Sequence, residues 1–283
     1  MRVEILGSGG ATPTPRPGCS CRACAEAREL GVPHSRTGPS LFVHGPDILF
    51  DTPEESRLQV DRAGLARVAA CFYSHWHPDH TMGRRVFETR NFDFRSWPRE
   101  AKRSETTRVF LPQQVAADFR TFLGAYAHLE FMADRQGTVE IVELADGEEV
   151  VLDGVRVRPF RLAEDYVYAF LLEDGDRRVL IAMDELHGWA PRPELGRLDL
   201  AVLPMGICEH HPLTGERRID PAHPALRFEA TFAETLGVVR ALDARRVVLS
   251  HVEEVDGLTV DDLARVAERE GVEFAYDTMV LDL

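Results

Sequence analysis

The sequence predicts a layered α/β protein, and three observations lead to that fold class. Short apolar runs bounded by Gly, Pro or Asp recur along the 283 residues, as β-strands do. Three longer segments instead place their apolar side chains at helical spacing. The two kinds of segment are interleaved, which favours sheets covered by helices over separate all-α and all-β units.

The strand predictions fall into two groups, one in each half of the chain. Those of the first half are Val3 to Leu6, Leu41 to Val43, Ile48 to Phe50, Val68 to Tyr73, Arg108 to Leu111 and Val139 to Val142. Those of the second half are Val155 to Phe160, Tyr166 to Leu172, Arg178 to Ala182, Leu198 to Leu203, Arg246 to Leu249 and Val272 to Phe274. Polar and glycine turns separate them, which predicts that the sheet resumes after the middle of the chain.

Helices are predicted for Pro112 to His128, Thr231 to Leu242 and Thr259 to Glu270. In the last of these, Thr259 is a residue type that caps helix N-termini, and Gly271 suits the position after a helix C-terminus.

The chain shows no internal repeat, low-complexity tract or Pro/Gly/Ser-rich linker, so a single domain over residues 1–283 is predicted. The arginine-rich stretch 84–108 is the best candidate for an irregular insertion. It is interpreted either as a solvated surface loop or as a flap that covers substrate.

Composition limits the partners. The 33 Lys and Arg against 47 Asp and Glu leave a formal charge of −14, so a long nucleic acid is a poor candidate ligand. A small phosphate ester stays compatible, because bound divalent metals can reverse the sign of charge inside one cleft. The N-terminus has no signal-peptide pattern, and no apolar run approaches the ~18 residues of a membrane span, so no membrane partner and a cytoplasmic location are predicted.

The chemistry is concentrated in His75-Trp76-His77-Pro78-Asp79-His80, directly after a predicted strand. In an extended segment His75 and His77 point to the same side, and Pro78 favours a bend that brings Asp79 and His80 to an adjacent point. Imidazole nitrogens and a carboxylate are ligands that zinc accepts. Four potential ligands at this density favour a metal site over unrelated surface histidines.

These residues resemble the His-x-His-x-Asp-His signature of the metallo-β-lactamase superfamily. The resemblance extends to the segments 3–10, 48–52, 179–184 and 247–251. It implies a four-layered αβ/βα sandwich with two divalent metals, Zn or Mn, at one edge. Carried over by residue, His75 and His77 serve the first metal, Asp79, His80 and His251 serve the second, Asp184 bridges them, and a hydroxide between the metals is the nucleophile.

One ligand of that pattern is missing from the sequence. The family places a third histidine for the first metal where this chain has Leu162-Ala163-Glu164-Asp165, and no histidine lies between His128 and His187. Glu164, Asp165 or, from another loop, His210 are the candidate replacements.

A pair of carboxylates is predicted to handle the proton of the leaving group. In the tRNA 3′-processing branch of the superfamily, a glutamate pairs with a proton-donating histidine. Here Glu209 matches the glutamate and Glu229 stands in the histidine position, 22 residues before His251. Two crowded carboxyl groups can share a proton, so Glu209 and Glu229 are predicted to be catalytic, against the alternative of unrelated surface groups. Asp79 is also predicted to be catalytic, in addition to its role as a metal ligand.

The Cys19-Ser20-Cys21-Arg22-Ala23-Cys24 segment, within the loop 18–24, suits thiolates around a metal better than a disulfide framework. It is similar to the extra zinc-binding loop of the phosphonate-pathway cyclic phosphodiesterase branch, which implies a structural zinc. His34 and Glu254 are the candidate fourth ligands, and reduced thiols in a loop are the alternative. Cys71 and Cys208 are predicted to be buried small residues rather than ligands.

The function predicted from these features is a metal-dependent hydrolase, a phosphodiesterase acting on a small cyclic or nucleotide-like phosphodiester. Two alternatives stay open. A lactonase or carboxylic ester hydrolase needs the same nucleophile, and a non-catalytic metal-binding or ligand-binding protein would fit the loss of the third histidine. A homodimer is possible.

Overall fold

The computed structural model describes residues 1–92, 106–124, 129–163 and 166–283. These residues form two seven-stranded sheets. The strands in chain order are β1 (Arg2–Gly7), β2 (Ser40–His44), β3 (Ile48–Phe50), β4 (Ala70–Phe72), β5 (Thr107–Pro112), β6 (Val139–Leu144), β7 (Val150–Leu152), β8 (Val155–Arg161), β9 (Tyr168–Asp174), β10 (Arg177–Ala182), β11 (Leu200–Pro204), β12 (Val247–Ser250), β13 (Glu273–Phe274) and β14 (Met279–Asp282).

Each sheet is half antiparallel and half parallel. The first has the order β14-β1-β2-β3-β4-β5-β6, with parallel pairing from β3 to β6. The second has the order β13-β12-β11-β10-β9-β8-β7, with parallel pairing from β10 to β13. The carboxyl ends of the parallel strands within each sheet lie at one edge, where loops can gather functional side chains.

The helices in chain order are α1 (Arg22–Leu30), α2 (Ser56–Arg62), α3 (Pro78–Thr81), α4 (Val86–Asn91), α5 (Gln113–Asp118), α6 (Leu129–Phe131), α7 (Phe232–Ala241) and α8 (Val260–Glu270). Thr259 accepts from the backbone N–H of Asp262 and Gly271 follows the last turn with φ 71°, which confirms the predicted ends of α8.

Two apolar clusters hold the layers together. Along β9, Tyr168, Phe170 and Leu172 belong to the cluster that includes the first sheet. Ala169 and Leu171 face the other way and belong to the cluster that includes α7 and α8. With α2, α4 and α5 contributing side chains to the first cluster, the order of layers is helix, sheet, sheet, helix, and the predicted four-layered αβ/βα sandwich is confirmed.

Several elements differ from the sequence predictions. Strands β7 and β14 and helices α1 and α4 were not predicted; they are short, and burial of only part of each element leaves a weak periodic signal. The described part of the helix predicted for 112–128 is α5 followed by a π-helical turn, Phe119–Leu123, which ends at Gly124 with φ 77°. Residues 125–128 of that prediction lie outside the described residues.

The stretch 84–108 has regular structure at both ends. Its first part carries α4, whose Phe87 is fully buried and whose Asn91 donates to Thr107 Oγ1 at 3.0 Å. Its last residues begin β5. The rest of the predicted insertion, residues 93–105, lies outside the described residues.

Candidate metal centre

Three strand ends deliver the predicted ligands to one edge. The chain leaves β4 at Phe72, and His77 then precedes Pro78 at the start of α3, so that Asp79 and His80 lie in its first turn. Asp184 follows the end of β10, and His251 follows the end of β12. The strand-to-helix bend that Pro78 suggested is formed, because proline is favoured in the first turn of a helix.

The side chains converge. His75 Nε2 lies 3.4 Å from Asp184 Oδ2, and His80 Nε2 lies 3.2 Å from Asp79 Oδ2 and 3.4 Å from His251 Nε2. Asp184 is central, since its oxygens are also 3.6 Å from His251 Nε2 and 3.7 Å from His80 Nε2. Two overlapping groups thus have ligand atoms within 4.8 Å of one another: His75, His80 and Asp184, and Asp79, His80 and His251.

His77 lies beside these groups rather than inside them. Its ring centroid is 4.5 Å from that of His75, and its side chain is only partly buried. Together with the residues of the two groups it forms the histidine–aspartate cluster of this chain: His75, His77, Asp79, His80, Asp184 and His251.

Asp51 orients two of the histidines and was not predicted as a site residue. Its Oδ2 accepts from His80 Nδ1 at 2.8 Å and from Ser74 Oγ at 2.6 Å. Because Ser74 gives its proton to Asp51, its oxygen accepts from His75 Nδ1 at 3.0 Å. Both imidazoles therefore have Nδ1 held by a hydrogen bond and turn Nε2 towards the cluster, which is the orientation that metal-binding histidines adopt.

Glu253 holds the imidazole of His251 in place. Glu253 Oε1 lies 3.5 Å from His251 Nδ1 and accepts from the backbone N–H of Ala11 at 2.9 Å, while Oε2 accepts from that of Thr12 at 2.8 Å. A Cβ at residue 10 would overlap Glu253 Oε1 and His251 Nδ1, so the turn can approach His251 this closely only because it has Gly10.

Backbone strain is concentrated here. Asp51 (φ 55°), Glu185 (φ 43°) and His251 (φ 54°) all adopt the left-handed region that non-glycine residues rarely occupy. Such conformations persist where the surrounding structure enforces them, and they occur often at functional sites.

Burial and the neighbouring charges shift the pKa values of several members of this cluster. Burial and the neighbouring His80 and His77 hold the pKa of His75 well below its ordinary value. Burial also opposes protonation of His251, but Asp184 and Asp79 outweigh it and raise its pKa to about 9. Burial disfavours the charged form of Asp79, yet His80 and His251 lower its pKa overall.

The donors fit a divalent transition metal. His75 Nε2 is buried and has no hydrogen-bond partner among the described residues, although the other ring nitrogen of His75 is bonded. A buried nitrogen lone pair left without a partner is costly unless a cation takes it. Imidazole nitrogens with carboxylate oxygens match the preferences of Zn²⁺ and related ions.

The predicted Glu209–Glu229 pair is replaced by other contacts. Glu209 belongs to a hairpin-like loop in which Arg217 Nη1 donates to its Oε1 at 2.5 Å, so an arginine rather than a carboxyl group neutralises it. Glu229 instead hydrogen-bonds Glu185 and lines a cavity with Asp184 and His251.

Glu185 is a site residue that the sequence analysis missed. Its carboxyl is buried and accepts from the backbone N–H of Ala230 at 2.9 Å. Burial, the charge of Asp184 and the hydrogen bond to Glu229 raise its pKa to about 9. The position of Glu185 next to Asp184 in the sequence was the feature that could have identified it as a site residue.

The replacements for the third histidine are placed as follows. Ala163 is exposed, Glu164 and Asp165 lie outside the described residues, and His210 faces Glu209 Oε2 at 3.8 Å. The ring of Tyr166 is the described group on that side of the cluster, with its centroid 5.5 Å from that of His77 and 6.1 Å from that of His75.

The three cysteines gather around one carboxylate. The Sγ atoms of Cys19, Cys21 and Cys24 each lie 3.1 Å from Glu254 Oε1, and we call these four residues the cysteine cluster. Burial, followed by the hydrogen bond to Glu254, raises the pKa of the Cys24 thiol to about 12. His34, the other candidate ligand, lies against Glu26 instead, at 3.8 Å.

The remaining two cysteines lie in the interior, as predicted. Cys71 and Cys208 are buried, and the described residues include no disulfide involving them.

Among the described residues, no helix has both the length and the apolar character needed to cross a bilayer.

Most of the chain matches the sequence pattern of one protein family. Residues 41–252 match the family described as the Beta-lactamase superfamily domain. The chain therefore belongs to the beta-lactamase superfamily, and with its fold and ligand cluster its class is that of the metallo-β-lactamase superfamily hydrolases.

The curated relatives match only parts of the chain. Ribonuclease Z of Archaeoglobus fulgidus is 28% identical over 151 residues, covering 50% of this chain and 44% of that protein. An octanoyltransferase of Porphyromonas gingivalis is 38% identical over 86 residues, covering 29% of this chain and 17% of that protein. The chain thus spans less than half the length of the curated relatives it matches.

Solved structures share the fold over the whole chain. A diphosphatase of the PhnP family has a TM-score of 0.69 at 21% identity, covering 100% of this chain and 97% of that one. Zn²⁺-bound PqqB from Methylobacterium extorquens has a TM-score of 0.70 at 17% identity, with full coverage of both chains. The short form of human tRNase Z has a TM-score of 0.59 at 17% identity, covering 100% and 99%.

Proposed function

We propose that the chain is a metal-dependent phosphodiesterase that acts on small phosphodiesters. The observation that carries the proposal is the convergence of buried imidazoles and carboxylates around His75 Nε2, which has no hydrogen-bond partner among the described residues, at the edge where the strand ends meet. Asp79, His80 and His251 would hold one metal, His75 and His77 would serve the other, and Asp184 would lie between them. The bound metals would supply a water of lowered pKa and positive charge for the phosphate.

The protein's own residues would orient the histidine ligands and hold a proton for the leaving group. Asp51 and Ser74 fix the rotation and the protonation of His75 and His80, and Glu253 with Gly10 fixes His251. Glu229 lines the same cavity as Asp184 and His251, so the predicted role of holding a proton for the leaving oxygen stays with Glu229. Its partner in this proposal is Glu185, and Glu209 is not included.

Phosphate is favoured over carboxylic esters by the relatives. The PhnP-family structure is that of a diphosphatase, and the protein from Archaeoglobus fulgidus is a ribonuclease Z, so phosphorus–oxygen bonds are the targets that their names share. The charge of −14 favours a small phosphodiester over a long nucleic acid.

The test compares two substrates and two histidine variants. Metal content by elemental analysis and hydrolysis of bis(p-nitrophenyl) phosphate and of p-nitrophenyl acetate would be measured for wild type, His75→Ala and the matched control His44→Ala. His44 pairs with Glu4 between β1 and β2, so His44→Ala should keep both metal and activity.

The proposal expects phosphodiester hydrolysis that His75→Ala removes together with metal. Efficient cleavage of the acetate alone would support the ester hydrolase. Full metal content with no hydrolysis of either compound would support a binding protein.

We also propose that the cysteine cluster holds a structural zinc. Three sulfurs and one carboxylate oxygen within bonding reach of a common point form a closed four-ligand set without an open position, as structural zinc sites have.

A further inference from the structure

Two aromatic rings form an exposed platform beside the histidine–aspartate cluster. The indole of Trp76 is stacked on the ring of Phe122, with centroids 4.3 Å apart and planes inclined by 26°. Trp76 also contacts His77 edge-on, at 4.8 Å between centroids. We call Trp76 and Phe122 the aromatic shelf.

The two rings have different environments. Trp76 is partly buried and packs against the apolar cluster of the first sheet, and its carbonyl accepts from Thr81 Oγ1 at 3.3 Å. Phe122, on the π-helical turn after α5, is 56% exposed. The shelf therefore has a supported inner ring and an outer ring with much of its surface in water, an arrangement suited to stacking another planar group.

The position of the shelf connects it to the chemistry. Trp76 stands between His75 and His77 in the sequence, and its side chain reaches from the His77 ring to Phe122. Tyr166 is a second aromatic neighbour of His77, with ring centroids 5.5 Å apart. A substituent that extends from a group bound at the cluster past His77 towards Trp76 therefore meets the shelf.

We propose that the aromatic shelf binds the base of a nucleotide substrate, so that the phosphodiester hydrolysed at the cluster is a small base-bearing one. This inference rests on the proposed phosphodiesterase function and narrows its substrate class. Every nucleobase has a flat face that stacks on aromatic side chains without sequence-specific hydrogen bonds. Because the aromatic shelf offers ring faces for stacking, we expect the protein to accept substrates with different bases but to require that a base is present.

The first experiment varies the substrate and the outer ring together. Hydrolysis of adenosine 2′,3′-cyclic phosphate would be compared with that of glycerol 1,2-cyclic phosphate, which has the same five-membered cyclic diester without a base. Phe122→Ala should lower kcat/KM about tenfold for the adenosine compound and leave the glycerol compound within about twofold. Phe122→Tyr, which keeps a ring, should retain wild-type selectivity, whereas Phe122→Leu should lose most of it.

An equal loss on both substrates, or full selectivity in Phe122→Ala, would overturn the proposal. Phe131→Ala, which removes another partly exposed phenylalanine from α6, is the matched control and should change neither rate.

A second experiment separates the shelf from the reaction. Binding of adenosine 5′-monophosphate and of ribose 5-phosphate to the metal-loaded protein would be measured by calorimetry. The shelf predicts tighter binding of the adenosine compound, by about tenfold, and loss of that difference in Phe122→Ala. If wild type hydrolysed no phosphodiester yet showed this difference, the phosphodiesterase proposal alone would fail. If it hydrolysed phosphodiesters and bound both compounds equally, the shelf proposal alone would fail.

Discussion

The histidine–aspartate cluster and the cysteine cluster are two candidate metal sites built in different ways. The first is assembled from the ends of β4, β10 and β12, and Asp51, Ser74 and Glu253 hold its imidazoles from behind. The second has three thiols within six residues of loop and helix start and one ligand, Glu254, from 230 or more residues away. Positioning by rigid strands with supporting hydrogen bonds suits catalysis, whereas a local loop tied by one distant ligand suits stabilisation.

The comparison predicts its largest effect at Asp184. Asp184→Asn removes negative charge between the two groups of ligands, so catalytic metal content should fall and kcat/KM for a phosphodiester should drop by more than about 100-fold, beyond the usual effect of a supporting residue. Elemental analysis with steady-state kinetics measures both. Asp153→Asn, the same change in the β7–β8 turn, is the control, and retention of activity in Asp184→Asn would refute the central role of Asp184.

A supporting residue should have a smaller effect. Asp51→Asn weakens the acceptor for His80 Nδ1 and Ser74 Oγ, and metal affinity should fall about 10- to 100-fold. Competition with a chromophoric chelator measures the affinity. Asp47→Asn, in the β2–β3 turn with a similar φ of 55°, should leave it unchanged. An unchanged affinity in Asp51→Asn would mean that the imidazoles need no such support.

Gly10→Ala tests the clamp on His251. The added methyl group overlaps Glu253 and His251, so the turn must shift, and we expect a loss of about 1–3 kcal/mol in the free energy of unfolding with about tenfold weaker activity. Denaturant titration and kinetics would measure these. Gly237→Ala, in α7, has open space around the new methyl group and should not destabilise the protein. If Gly10→Ala behaved like Gly237→Ala, the close approach at residue 10 would have no role.

The smallest effect on catalysis is expected at the cysteine cluster. Cys21→Ala should lower metal content by one ion per chain and reduce stability, by about 4 kcal/mol where free zinc is 1,000-fold above its dissociation constant. Activity of the folded protein should stay within about threefold. Cys208→Ala, a thiol removed elsewhere, should keep all metal. A large fall in kcat with unchanged stability would instead assign the cysteine cluster to catalysis.

How far the sequence predicted these sites depended on the distance between partners along the chain. His75 to His80 could be identified because four potential ligands lie within six residues, and the four-layered fold followed from the interleaved strands and helices together with the family resemblance. Asp184 and His251 came only from that resemblance. Asp51, Ser74, Gly10 and Glu253 were missed because their contacts form only when distant strand ends meet.

The partners that Glu209 and Glu229 have in the structure were not predicted, for a related reason. Spacing to His251 says nothing about which charge each carboxylate will meet, and the backbone pairing of His210 with Arg217 brings a guanidinium to Glu209 first. Short elements such as β7 and β14 were missed because three or four residues carry too little periodicity to stand out.

Residues 251 to 254 join the two clusters directly, since His251 belongs to one, Glu254 to the other, and Glu253 fastens the segment to the turn at residues 11 and 12. Four residues can span at most about 14 Å, so the clusters are held at a nearly fixed separation. Insertion of one residue here would pull a ligand out of one centre or the other. We therefore expect related proteins that have both clusters to keep this segment at the same length. A cysteine loop transplanted to a related scaffold would need this segment transferred with it.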